Sequence, residues 1–302
     1  MRGKAPLRWH LASKGFTLLE LLVSMAVLVL LILLVTQLLN GAIAVTTESS
    51  KHMDADSQAR LVFDRMAVDF SSIVRRSDVD YYFQKNAGND QLAFYSESTG
   101  YFSSGVSGET PKSNVSLVGY RINKDSQLER LSKALVWNGV TNTTSGASGL
   151  TSADKPMTFL PQTLVGTWPE IEGDHDDPDY QVIGDQVYRL EICYLLKNGI
   201  ISPPSPILSG TAYTAPNTSF NGLQDVAAIV VTIAVLDSKS RLLVSGTGMS
   251  MAASKLKDVS GFPIDHPPSK LWEETLRKRE DLGLPKVAAA QVRIYQRYFY
   301  LD

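Results

Sequence analysis

A chain of 302 residues with 44% hydrophobic and 20% charged side chains carries enough apolar material for a real core, which excludes wholesale disorder. A net charge of −2 and a pI near 6.1 exclude a global basic field that would recruit nucleic acid. The single cysteine, Cys193, excludes an intramolecular disulfide, and its place in the strand-like run Val187–Leu196 predicts a buried free thiol rather than a nucleophile.

The first fifteen residues carry Arg2, Lys4, Arg8 and Lys14 and no acid, a local charge of +4. Without those four of the 29 basic residues, 25 would face 31 acidic ones. A basic start before a long apolar run is an orientation signal that holds this end in the cytoplasm. From Phe16 to Leu39 the chain reads FTLLELLVSMAVLVLLILLVTQLL, without Gly or Pro. As a helix this run is about 36 Å long, enough for a hydrocarbon core of about 30 Å. It is too long for a secretory signal peptide, and no Ala-x-Ala site closes it. A signal anchor that is never processed remains open at this point. Glu20, the one charge in the run, is what a plain anchor does not explain. An acid there costs about 2–3 kcal/mol at the bilayer centre and less near the interface.

The heptapeptide Lys14-Gly15-Phe16-Thr17-Leu18-Leu19-Glu20, with its basic leader and apolar continuation, resembles the class III signal of type IV pilins and type II secretion pseudopilins. The resemblance implies that a prepilin peptidase cuts after Gly15 and that the new N-terminal Phe16 is methylated. It implies that Glu20 is the acid that meets the N-terminal ammonium of a neighbouring subunit and fixes the stagger between helices. Such a contact replaces two desolvated, uncompensated charges with one satisfied pair.

Beyond the apolar run, Asn40-Gly41 is a point where the helix is expected to loosen. Amphipathic character then resumes over Asp56–Phe70, with Leu61, Phe63, Met66, Val68 and Phe70 assigned to one side and Arg60, Asp64, Arg65 and Asp69 to the other. Strands are predicted at Gln91–Tyr95, Val115–Asn123, Val187–Leu196 and Val226–Leu236, from alternating or continuous β-branched and aromatic content. Long polar tracts at 96–114, 138–155 and 202–222 separate them, as contact surfaces or mobile loops. Val118–Ile122 and Leu128–Arg130 around Asn123–Ser126 predict a hairpin. Asp225–Leu236 and Ser240–Val244 around Asp237-Ser238-Lys239 predict a second. Both resemble strand pairs of the larger, J-type pseudopilins. A charged helix is expected over Lys270–Glu280, stopped by Leu282-Gly283-Leu284-Pro285, and a last strand within Val287–Leu301.

The chemistry that remains is thin. Asp174, Asp176, Asp177 and Asp179 surround His175 in an oxygen-rich run that is a weak candidate for Ca2+, although the spacing is not that of an EF-hand and a solvated acidic loop is the simpler reading. His10, His52, His175 and His266 have no zinc-ligand spacing, and no nucleophile elbow or phosphate-binding loop is present. No catalytic residue is assigned, and no cofactor is expected beyond that calcium.

The expected architecture is α+β and pilin-like. A cleaved leader spans 1–15, a membrane and assembly helix 16–45, its amphipathic continuation 46–80, and an antiparallel β-rich head 81–302. The resemblance implies a single-pass inner-membrane protein with a periplasmic head, extractable into a filament after processing. Its partners would be the prepilin peptidase, an assembly ATPase, a membrane platform protein and other pilin or pseudopilin subunits, with nucleic acid not expected. A head near 230 residues suits a minor subunit, since bulk crowds helical packing. Two alternatives stay open: a tip-located module that binds a surface, DNA or exported substrate, and a signal-anchored periplasmic protein of another role.

Overall fold

The structure is a computed structural model and describes residues 17–76, 79, 81–85, 88–100, 113–136, 157–158, 179–204, 222–277 and 282–301. Its first element, α1, is a helix of 54 residues over Leu18–Ser71 that runs through Asn40-Gly41 without a break. One glycine among strong helix formers costs about 1 kcal/mol, too little to interrupt so long a helix. The helix ends before the expected residue 80. Ile73 leaves it to bridge Ser96, and the Val74 N–H donates to the Tyr95 carbonyl at 2.9 Å.

The chain divides into two compact units, the first ending at Ser50 and the second starting at Lys51. In the first, the large apolar side chains of α1 from Leu18 to Val45 are exposed. This segment is long and apolar enough to cross a membrane, by length and composition.

The second unit is a head built on two sheets. In the first sheet, β1 (Tyr82–Gln84), β2 (Gln91–Ser96), β3 (Ser116–Ile122) and β4 (Leu128–Val136) pair antiparallel in chain order. At the two ends of β4, β5 (Met157–Thr158) pairs parallel and β6 (Gln181–Gly184) antiparallel. The β3–β4 hairpin forms where it was expected. Asn123 Oδ1 accepts from the N–H groups of Asp125 and Gln127 at 3.0 and 2.9 Å, and Ser126 takes φ 57°.

The second sheet has the order β10-β9-β7-β8, from Arg293–Tyr300, Val226–Val235, Val187–Leu196 and Ile201–Ser202. The second predicted hairpin is not formed. Asp237 Oδ1 instead accepts from the N–H groups of Lys239 and Ser240, capping a one-turn helix, α2 (Ser238–Arg241). β9 takes the distant β10 as its antiparallel partner on that side. Three more helices follow: α3 (Gly246–Lys255), α4 (Pro268–Arg277) and α5 (Lys286–Ala289). The predicted charged helix is therefore present, whereas the expected final strand starts only after α5.

In the head, α1 buries Ala55, Ala59, Val62, Phe63, Met66 and Phe70, spaced as one helical face. This face joins one core with Phe94 and Val118 of the first sheet and Leu190, Ile192, Ile229 and Val231 of the second. Both sheets thus share a single helix stripe. Leu61 and Val68, expected inside, are 57% and 52% exposed. At 100° per residue they fall off the stripe set by Val62, Met66 and Phe70. Gly184 permits close approach at this seam, since a Cβ there would lie 3.0 Å from a Val62 methyl.

The edge strand β10 is fastened to α1 by a ladder of side chains. Arg293 Nε donates to His52 Nδ1 at 3.0 Å, the Tyr295 hydroxyl to Asp56, and Arg297 to Asp64 at 2.8 Å. Phe299 ends the ladder against Phe63 and Phe70, with ring centroids 6.1 and 5.1 Å apart. The opposite face of the second sheet is covered by the C-terminal helices, through Tyr188, Ala234 and Leu236 against Met249, Ala252 and Trp272.

Candidate processing and assembly site

Of the three positions singled out at the N-terminus, Gly15 and Phe16 lie outside the described residues, and Glu20 sits in the first turn of α1. Thr17 and Glu20 form a reciprocal cap. Glu20 Oε2 accepts from the Thr17 N–H and hydroxyl, both at 2.9 Å, and the Glu20 N–H donates to Thr17 Oγ1 at 3.3 Å. A threonine followed three residues later by glutamate satisfies backbone N–H groups that a helix start otherwise leaves unpaired. It also holds a carboxylate at the positive end of the helix dipole. The same side chain that sequence reasoning marked as an assembly acid is thus the local start signal of the helix. Leu19, Val23, Val27 and Leu31 continue from it as exposed side chains spaced along one helix face.

The acidic run is divided by the structure's limits. Asp174, Asp176 and Asp177 lie outside the described residues, and Asp179 is ion-paired with Lys133 Nζ at 3.0 Å. Among the described residues, no group of three or more His, Cys, Asp or Glu side chains is placed to hold a metal.

Cys193 is buried in β7, and burial pushes its thiol well above the usual range. A thiol held protonated in an apolar setting is a poor nucleophile, in keeping with the expected inert role.

Two buried charge clusters went unread in the sequence. In the first, Asp69 near the end of α1 is fully buried and receives Arg130 in two-pronged fashion, Nε at 2.7 Å and NH2 at 2.8 Å. The Tyr120 hydroxyl donates to the same carboxylate. Burial and that carboxylate together push the phenol far up, so it stays a donor. Alternation along β3 and β4 was the available signal, since Arg130 shares the inward phase with Leu128.

The second cluster lies along β7. Lys85 Nζ approaches Glu191 at 2.8 Å and Asp90 at 3.6 Å. Arg189 pairs with Asp258 and also donates to the carbonyls of Leu256 and Leu190, at 3.1 and 2.8 Å. Glu191 Oε1 accepts from the Val259 N–H at 2.7 Å, and Asp90 Oδ2 from the Ile192 N–H at 2.7 Å. Burial pushes the Asp90 carboxyl up to about 7, against the pull of Lys85 and the Ile192 N–H. Glu191 is raised as well, again by burial. The cluster stitches the segment before β2 and the segment after α3 onto one strand. These are structural ties, and the thiol that shares their surroundings, Cys193, is held protonated by burial.

The geometry at the N-terminus can be set beside known proteins. The prokaryotic N-terminal methylation motif matches residues 11–36, a stretch that contains Gly15, Phe16 and Glu20. Type II secretion system protein J of Klebsiella pneumoniae is 37% identical over 125 residues, 39% of this chain. The chain matches 61% of that relative's length. A type IV-like pilin from Thermus thermophilus aligns over 83% of this chain and 94% of its own, at 12% identity and a TM-score of 0.30. The chain thus joins a capped apolar helix, long enough to cross a membrane and bearing the prokaryotic N-terminal methylation motif, to a partial sequence likeness to type II secretion system protein J.

Proposed function

We propose that this chain is a minor pseudopilin, matured by cleavage between Gly15 and Phe16, methylated on Phe16, and built into a short filament through its N-terminal helix. The observation that carries the proposal is the methylation motif over residues 11–36 coinciding with the Thr17–Glu20 helix cap. Cleavage there would place an ammonium group one residue before that cap. In the isolated subunit Glu20 is held by Thr17. During assembly the carboxylate would exchange this neutral donor for the ammonium of the adjacent subunit, a charge-assisted contact about twice as strong. The exposed side chains from Leu18 to Val45 would be covered first by lipid and then by neighbouring helices. On this reading the prepilin peptidase, the platform protein and other pseudopilins are the partners, and the head occupies the periplasm. The likeness to protein J favours a secretion pseudopilus over a surface pilus.

Intact-mass and N-terminal analysis of the membrane-extracted protein tests the first half. With active prepilin peptidase the chain should begin at methylated Phe16, and an intact Met1 leader under those conditions would sink the proposal. The second half predicts that Glu20→Leu is cleaved normally but is lost almost completely from the sheared filament fraction. Undiminished incorporation would remove Glu20 from assembly.

A further inference from the structure

The two edges of the second sheet are finished differently. On one side, β8 pairs with β7 at Tyr194 and Leu195, and further along the edge is plugged by Asn89 and Asp90. The Leu190 N–H donates to Asn89 Oδ1 at 2.8 Å and the Ile192 N–H to Asp90 Oδ2 at 2.7 Å. The Leu190 carbonyl accepts from the Asp90 N–H at 3.1 Å. On the other side lies β10, 8 residues long and paired with β9 without a bulge from Arg293 to Tyr300. The Leu301 N–H donates to the Ala227 carbonyl at 2.9 Å, which fixes the phase of this antiparallel ladder. The backbone groups of Arg293, Tyr295, Arg297 and Phe299 therefore turn to β9, and those of Ile294, Gln296, Tyr298 and Tyr300 turn outward. Among the described residues nothing bonds those outward N–H and carbonyl groups.

An open edge of this length is a template for another strand, and natural sheets blunt it with proline, a bulge or an outward lysine. β10 has none of these. Its arginines lean across one sheet face to α1, Arg293 to His52 and Arg297 to Asp64. Tyr298 and Tyr300 stand on the opposite face, their ring centroids 6.5 Å apart, with Tyr300 68% exposed. Such a face favours β-branched or aromatic neighbours on an adjoining strand. The residues of β10 disfavour a second copy as that strand. Antiparallel pairing of β10 with its own copy engages all the outward residues in a single register, centred on Arg297. That register sets two Arg297 side chains directly opposite each other, at the closer of the two antiparallel spacings, where like charges repel. An acidic side chain in the same place is attracted. β10 carries two arginines and no acid, and Arg297, 42% exposed, spends only NH1 on Asp64.

We propose that the β10 edge takes up an extended segment of another protein as an added strand, with a carboxylate opposite Arg297 and β-branched or aromatic side chains beside Tyr298 and Tyr300. Main-chain hydrogen bonds to Ile294, Gln296, Tyr298 and Tyr300 supply affinity, and the side chains supply the choice of partner. The ladder to α1 lies on the face of the sheet, so a docked strand extends the sheet without displacing it. This docking is a property of the head and is independent of processing at Gly15.

The test uses the full chain in detergent micelles and two fluorescent, end-blocked octapeptides: Thr-Val-Thr-Val-Glu-Val-Thr-Val, and the same peptide with Lys in place of Glu. Peptide anisotropy above that in protein-free micelles reports binding. The Glu peptide should bind about tenfold more tightly than the Lys peptide. Arg297→Glu should reverse that order. Tyr300→Pro, which removes an outward N–H but no bond to β9, should weaken the Glu peptide severalfold. Equal affinities for the two peptides on the parent protein, or no binding of either, overturns the proposal without recourse to a variant. An order unchanged by Arg297→Glu, in a variant that melts as the parent does, overturns it too. Self-association of the parent that Tyr300→Pro abolishes assigns the edge to a second copy, and the proposal also fails.

Discussion

Asp69→Ala should lower the stability of the head by about 3–5 kcal/mol, the range for breaking one half of a buried ion pair. The cost arises from what stays behind. Arg130 is 9% exposed and keeps its charge, two of its N–H groups lose their acceptors, and the Tyr120 hydroxyl is left without the carboxylate. Water does not reach the site to replace them, because Asp69 and Tyr120 are both fully buried. Denaturant unfolding of the detergent-solubilised protein measures the effect. The double variant Asp69→Leu with Arg130→Met, which removes both charges, should recover most of the loss. Tyr120→Phe alone should cost only about 1 kcal/mol. A change below about 1 kcal/mol for Asp69→Ala would show that the pair does not latch α1 to the first sheet.

The second large effect is one of pH. Asp90 has a folded-state pKa of about 7, against an ordinary value of 3.8. A carboxyl raised on folding binds its proton more tightly in the folded than in the unfolded protein. Its contribution to stability is therefore full below about pH 4 and is lost as pH rises towards 7. At about 1.4 kcal/mol per pH unit the span amounts to about 4 kcal/mol. Lys85, Glu191 and Arg189 face the group. Glu191, raised in the same direction, adds to the slope, while Lys85 opposes it by favouring ionised Asp90. Asp90→Asn removes the ionisation and retains an oxygen for the Ile192 N–H, and Lys85 keeps Glu191 at 2.8 Å. Urea midpoints from pH 4 to 8 should show this variant gaining on the parent as pH rises and exceeding it at pH 8. Parallel curves would mean that Asp90 ionises in the folded protein as it does in water.

Much of the architecture was legible because it rests on local signals. Phe16–Leu39 announces its helix by length and composition, and Thr17 and Glu20 stand at capping spacing. Val187–Leu196 is apolar enough that its predicted bounds are those of β7. What failed was decided at long range. Nothing near residue 237 reveals that β9 will pair with a strand some sixty residues later, nor that Asp237 prefers to cap a helix turn. Leu61 and Val68 look as apolar as Val62 and Met66, and only docking on two sheets chooses between the faces. The buried clusters were hidden for a related reason. Arg130, Asp69, Asp90 and Glu191 read as ordinary surface charges until tertiary contacts bring them together. α3 was missed because Gly246-Thr-Gly248 is a poor helix opening by composition, rescued by the Ser245 cap on the Gly248 N–H.

The rungs between α1 and β10 have a mechanical meaning. His52, Asp56 and Asp64 lie along the helix while their partners Arg293, Tyr295 and Arg297 lie along the strand, so the contacts run roughly parallel to the helix axis. A tug on the stem loads these rungs, the aromatic packing at Phe299 and the Asp69–Arg130 latch in shear, all at once rather than one after another. Attachments strained together yield at far higher force than attachments peeled in sequence. On the proposed function, the head would follow the segment of α1 it grips when that helix is pulled, because these ties must yield together.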